Sequence, residues 1–183
     1  KKYLKNIAGA VLLAMFFSCT NSSKEVKDFF ADKNLPMGYA EDVAHVYKDS
    51  GRISSKMKTP VLLDFSNRKL NPYNEFPDGI DITSFKNKGK DSIGIWGDYA
   101  ISYTNTSLSK IKGNVVVVNY LDGSRLETTE LYWDDKSNYF FTEKRFTLAQ
   151  NDKIIEGFGF ESNQDLSDWI MKKISGDGII KED

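Results

Sequence analysis

One cysteine, Cys19, and one histidine, His45, are the only side chains of their kinds in 183 residues. That scarcity excludes much of the chemistry open to a chain of this size. A single thiol forms no intrachain disulfide, and a Cys/His metal centre lacks ligands. A Ser-His-Asp arrangement has only His45 to draw on, and His45 sits within an alternating run, where a hydrogen-bonded structural histidine is the expectation. Glu41-Asp42 and Asp134-Asp135 are adjacent acids in turn-like settings. Glycoside hydrolysis needs two carboxyls facing each other across a cleft, so solvated turn acids are the better reading. No Asp-x-Asp-x-Asp-Gly calcium loop occurs. Gly157-Phe158-Gly159-Phe160 lies within a strand-like run with no helix behind it, unlike a phosphate loop. The expectation is a protein that is not an enzyme and needs no metal or cofactor.

The chemistry of Cys19 depends on what precedes it. Lys1, Lys2 and Lys5 form a basic start, and Ile7 to Phe17 is an uncharged, mostly apolar run ending at Ser18-Cys19. Eleven residues span about 16 Å as a helix, roughly half the thickness of a bilayer's hydrocarbon, so this run reads as a signal core and not a membrane span. A polar stretch, Thr20-Asn21-Ser22-Ser23, follows. The arrangement resembles a bacterial lipoprotein signal, which implies cleavage before Cys19 and a diacylglycerol thioether on its sulfur. Phe16 and Phe17 stand where that pattern has Leu and a small residue, whereas Ser18 conforms. A plain secretion signal with an incidental Cys is the other reading. Without residues 1–18 the chain has 22 basic and 26 acidic residues, a formal charge of −4. Surface charge would not draw such a chain to anionic lipid, so the lipid itself would be the anchor.

The elements that must position any site are read from periodicity. Hydrophobic residues make up 40% and aromatics 13%, and abundant Phe and Tyr favour strands. Basic and acidic residues balance at 25 and 26, and no basic patch or RNA-reading motif indicates a nucleic-acid partner. The clearest signal is Gly113 to Trp133: two runs, Asn114–Tyr120 and Leu126–Trp133, joined across Asp122-Gly123, a strong hairpin signature. Leu126 and Leu131 fall on opposite parities, which predicts a register break between them, and Val115–Val118 is apolar on both faces. A second hairpin is expected around Asp49-Ser50-Gly51, its second strand ending before Thr59-Pro60 and a short strand following at Val61–Phe65. Asn67–Pro77 reads as a loop, Ile80–Phe85 and Ser92–Tyr103 as strands, and Asn87-Lys88-Gly89 as a turn. Asn138–Thr142, Arg145–Ala149 and Lys153–Phe160 complete the pattern, with Phe158 and Phe160 expected on one face. Residues 163–175 fit a strand or a short helix, and a strand is preferred. The organisation is a signal peptide over 1–18, a polar tether over 19–37 and an all-β domain over 38–183, an antiparallel jellyroll with its sheet folded on itself.

Several stretches in this order resemble the LptC family, the periplasmic component of the lipopolysaccharide export machine. They include Tyr47-Lys48-Asp49-Ser50-Gly51-Arg52-Ile53, Phe76-Pro77-Asp78-Gly79-Ile80 and Gly113-Asn114-Val115-Val116-Val117. Leu126-Glu127-Thr128, Leu131-Tyr132-Trp133-Asp134 and Ile155-Glu156-Gly157-Phe158-Gly159-Phe160 continue the series. The resemblance implies a β-jellyroll, open along one side, that holds acyl chains. It also implies a bridge between an inner-membrane ABC transporter and a downstream LptA-like jellyroll protein through shared strand edges. Many members of that family carry an N-terminal transmembrane helix, which the Cys19 lipid would replace here. The expected location is the periplasm, lipid-anchored at the inner membrane. Candidate lining residues for lipopolysaccharide are Ile53, Ile82, Trp96, Val115, Val117, Leu126, Phe146, Leu148, Phe158 and Phe160. The alternative is a lipid-anchored β-sandwich that presents aromatics such as Trp133 and Tyr139 to a glycan or protein.

Overall fold

The computed structural model describes residues 22–86 and 91–174. Cys19, the 1–18 leader and the expected turn at 87–89 lie outside the described residues. The chain divides into two units, one up to Leu35 and one from Pro36. In the first, the tether is helical over Ser23–Asp32 (α1). A capping box starts it: Ser22 Oγ accepts the Glu25 N–H at 3.2 Å, and the Glu25 carboxylate accepts the Ser22 N–H at 3.0 Å. Val26 and Phe29 are exposed on this helix.

From Pro36 the described chain is all β. The strands are β1 (Gly38–Asp49), β2 (Arg52–Phe65), β3 (Tyr73–Phe76), β4 (Ile80–Lys86), β5 (Asp91–Gly97) and β6 (Tyr99–Tyr103). They continue with β7 (Leu108–Asn119), β8 (Arg125–Asp134), β9 (Tyr139–Gln150), β10 (Lys153–Asn163) and β11 (Trp169–Ile174). Every pairing is antiparallel, as hairpins following one another in sequence require.

The sheet branches and rejoins. One side of β2 carries β1, and the other carries β4 along Ser55–Lys58 and β3 along Leu63–Phe65. The β4 branch runs through β5 to the second half of β7, and the β3 branch runs through β6 to its first half. The two halves of β2 and of β7 therefore belong to different layers of a sandwich. The strands β8 to β11 then add in order beyond β7. This is the jellyroll expected from the sequence.

A row of irregularities lets one sheet make two layers. Register shifts fall between Lys112 and Val115 on β7, Thr128 and Tyr132 on β8, and Phe158 and Phe160 on β10. Gly113 (φ 71°), Asn114 (φ 42°) and Gly159 (φ 71°) occupy the left-handed region there. Each bulge bends its strand, and because they lie side by side the bends add into one crease. The break expected between Leu126 and Leu131 is part of this crease, and both residues end fully buried.

Four local expectations change. β2 runs through Pro60 unbroken, and β1 residue Asp42 opposite it (φ 49°) is likewise left out of the pairing, so the missing N–H costs no ladder bond. The Asn67–Pro77 loop contains β3, and the Ser92–Tyr103 strand splits at Asp98 into β5 and β6. The split Asn138–Thr142 and Arg145–Ala149 runs are a single strand, β9. Residues 164–168 are a loop and Trp169–Ile174 form β11, so the strand preference holds over the described residues.

Gly113 and Gly123 share a left-handed backbone but not their surroundings. A Cβ on Gly113 would lie 2.7 Å from Asp98 Oδ2 and 2.9 Å from Asp98 Cβ, whereas Gly123 has nothing within 4 Å. G123A is expected to cost about 1 kcal/mol, the left-handed penalty alone, and G113A about 3 kcal/mol, both read from urea unfolding. Equal costs would refute a special role for the crease.

Candidate functional site

Between the two layers lies a cavity of about 650 Å³. Its depth and its mouth differ in chemistry. Met57, Phe76, Ile80, Ile82 and Trp133 form a buried, apolar floor. Above it the inward ladder positions are small and polar: Ser55 opposite Ser84 in one layer, and Asn74, Ser102 and Ser109 side by side in the other. Ser102 and Ser109 hydrogen-bond to each other at 3.0 Å. The rim (Tyr47, Lys48, Thr104, Ser107, Asp135, Asn138) is exposed. Polarity therefore rises continuously from floor to rim. An amphiphile fits this gradient, with its tail down and its head at the rim. The volume lies within the range of about 300–1,000 Å³ typical of small-molecule sites.

The cavity ends where the chain crosses it. Residues 164–168, between β10 and β11, tie one layer to the other. The Gln164 N–H donates to Asn138 O at 2.9 Å, Asn119 Nδ2 donates to Asp165 O at 2.9 Å, and Gln150 Nε2 donates to Leu166 O at 3.1 Å. Leu166 holds a φ of 60° with its side chain completely buried. This strap closes the sandwich over β7 to β10. The cavity remains on the side of β1 to β6.

The ten sequence-derived lining residues divide three ways. Ile82 alone lines the cavity. Val115, Val117, Leu126, Phe146, Leu148 and Phe160 all point inward with 0–1% exposure, so they form sealed core on the strapped side. Ile53, Trp96 and Phe158 do not line the interior. Ile53 sits near the tip of the β1–β2 hairpin, 43% exposed, where the register shift past Ser55 pairs it with Lys48 and takes it off the face of Met57. Phe158 is 44% exposed because the bulge at Gly159 reverses its side relative to buried Phe160, which corrects the expectation that the two face one way. Trp96 follows inward Ile95 onto the outer face. Its ring lies over Gly94, where a Cβ would stand 2.3 Å from Cη2, and meets Tyr120 edge-on at 6.4 Å. Buried lining residues missed by sequence include Met57, Phe76, Ile80 and Trp133; the alternation within β4 (Ile80, Ile82, Ser84) was the signal available.

The residues suspected of chemistry have structural settings. His45 is exposed on β1 and packs against the Tyr47 ring at 4.3 Å, rather than holding a buried hydrogen bond. Asp134 Oδ1 accepts the N–H groups of Lys136 and Ser137 at 3.0 and 3.2 Å. The Ser137 hydroxyl and N–H hold its carboxyl below the usual range, as suits a turn acid. Trp133 is buried and Tyr139 donates its hydroxyl to Glu161, so the two make no exposed aromatic platform. A second depression of about 580 Å³ lies at the crease. Asp42, Asp78, Asp81 and Asp98 line it, which makes it hostile to an anionic ligand. No protein-family model and no curated protein matches the chain.

Asp135 gives the mouth a titratable group. It keeps contact with solvent, yet desolvation between the groove walls, with Asp134 second, raises its carboxyl above the ordinary 3.8. Tyr47 across the mouth is raised for the same first reason, with Asp135 adding to it. A raised carboxyl binds more protons folded than unfolded, so its charge costs stability above the folded value and nothing below the unfolded one. D135N should therefore raise Tm at pH 7, with the gain fading as pH falls towards 3.8. A gain that is constant across that range would show that Asp135 titrates normally.

Proposed function

We propose that this protein carries lipopolysaccharide through the periplasm without catalysing a reaction, shielding acyl chain in the space between its two layers. The single observation that carries the reading is the part-open cavity with an apolar floor and a polar rim. Burial is worth about 0.8 kcal/mol per methylene, so eight methylenes on that floor would gain about 6 kcal/mol. That is enough to hold a chain and little enough to release it at the next station.

On the resemblance to LptC, the carrier would stand between an inner-membrane ABC transporter and a downstream jellyroll of the LptA kind. Two strands offer edges for such contacts: among the described residues β1 pairs only with β2, and β11 only with β10. From Ala44 to Asp49 the residues of β1 are exposed. An unpaired edge is ordinarily an aggregation hazard, and strand addition by a partner turns it into a docking device. The Cys19 lipid would hold the carrier at the membrane.

A photo-crosslinking amino acid at Phe76 or Ile82, on the cavity floor, should give ultraviolet-dependent adducts to lipopolysaccharide in living cells. The same group at Tyr120 or Phe158, on the outside, should give none. Adducts absent from both inner positions would sink the carrier reading. For the anchor, C19S is expected to abolish incorporation of radiolabelled fatty acid, and unchanged labelling would refute lipidation.

A further inference from the structure

Two side chains in the cavity wall are polar, buried and unmatched. Gln164 is 1% exposed and Trp133 7% exposed, and both line the cavity. Gln164 Nε2, Gln164 Oε1 and Trp133 Nε1 make no hydrogen bond among the described residues. Buried polar groups are nearly always paired, and each orphan forfeits a desolvation penalty that nothing in the fold returns. Their backbones are anchored: the Gln164 N–H bonds to Asn138 O, and Trp133 pairs in register with Ser109 and Phe140. The side-chain atoms themselves lie behind the cavity wall. The terminal torsion of glutamine is soft, so a turn of its amide presents it to the cavity without moving the backbone.

We propose that Gln164 and Trp133 form a polar anchor that selects ligands whose acyl chain is joined through an amide. The inference rests on the carrier reading and specifies which amphiphiles the cavity prefers. Trp133 offers a donor only, while Gln164 offers a donor and an acceptor. Meeting all three atoms takes a group that both accepts and donates. Among linkages between an acyl chain and a head, a secondary amide has both a C=O and an N–H. An ester or ether has acceptors only and leaves Gln164 Oε1 unpaired. Both residues line the same cavity as the apolar floor and are buried, unlike the exposed rim.

The test uses two matched probes, N-methyldecanamide and methyl decanoate, which differ in one N–H. Affinities are measured by NMR titration of the full chain, following the Trp133 Nε1–H resonance assigned with W133F. The amide is expected to bind about tenfold more tightly than the ester and to shift that resonance. Q164L, which replaces an unpaired buried amide with an apolar group of similar size, should keep its fold and lose the preference, binding the two probes with similar affinity. Equal affinity of the wild-type chain for both probes overturns the anchor and leaves the carrier reading standing. A preference that survives in Q164L also overturns it. Binding of neither probe removes the carrier reading and the anchor together.

Discussion

The structure depends on one sheet having to turn a corner without leaving its backbone unpaired. A flat antiparallel sheet as wide as this would expose one apolar face. Folding it brings inward residues of both halves together, but each strand crossing the fold must change direction while its neighbours stay bonded. Bulges meet that demand, since an extra residue bends the strand and leaves the ladder intact on either side. Gly113 and Gly159 supply the left-handed backbone, and Asp98 braces the first, its carboxylate accepting from Asn114 Nδ2 at 2.7 Å. The branch of β2 into β3 and β4 and its reunion at β7 follow, because a strand long enough to cross the crease has different neighbours in each layer.

Once the sheet is folded, side-chain volume decides where it is solid and where hollow. On β8 to β10 the inward positions hold Leu126, Leu131, Phe140, Phe146, Leu148 and Phe160, which fill the gap and close over one another. Phe146 and Phe160 meet at 4.9 Å between ring centroids. On β2, β3, β4, β6 and the start of β7, the inward positions near the mouth are Ser55, Asn74, Ser84, Ser102 and Ser109. Those side chains are too short to reach across, and their hydroxyls do not favour a dry interior. The strap reinforces the difference. Leu166 accepts a strained backbone conformation to plug the already apolar side, and Asn119 and Gln150 hold it in place.

Much of this was written locally in the chain. Asp122-Gly123 between β-branched runs specified the β7–β8 hairpin, and the parity conflict between Leu126 and Leu131 disclosed a bulge before any partner strand was known. The all-β class followed from the spacing of turns. What escaped depended on neighbours distant in sequence. Pro60 reads as a strand end until Asp42 is seen to be unpaired opposite it. Tyr73–Phe76 reads as loop because its strand character comes from pairing with β2 and β6. Ser22-x-x-Glu25, by contrast, was a legible capping box, and it starts a full helix where a polar tether with at most a short amphipathic turn around Glu25–Phe30 was expected. The site was least legible. The residues most apolar in sequence were those packed too well to leave room, and the cavity formed where the inward residues are serines.

The same geometry links the open edge to the open cavity. Val43, His45 and Tyr47 of β1 stand opposite Thr59, Met57 and Ser55 of β2, so they lie on the inward face of the sheet. Tyr47 and Lys48 are at once edge-strand residues and part of the cavity rim. A strand added along β1 would therefore extend the wall of the cavity as well as the sheet, with its own alternate side chains continuing the lining. No rearrangement of the core is needed, because the strap is tied to β7 and β9, away from the β1 edge. The β1 edge and the cavity rim are thus one surface, and a strand paired there would lengthen the cavity wall.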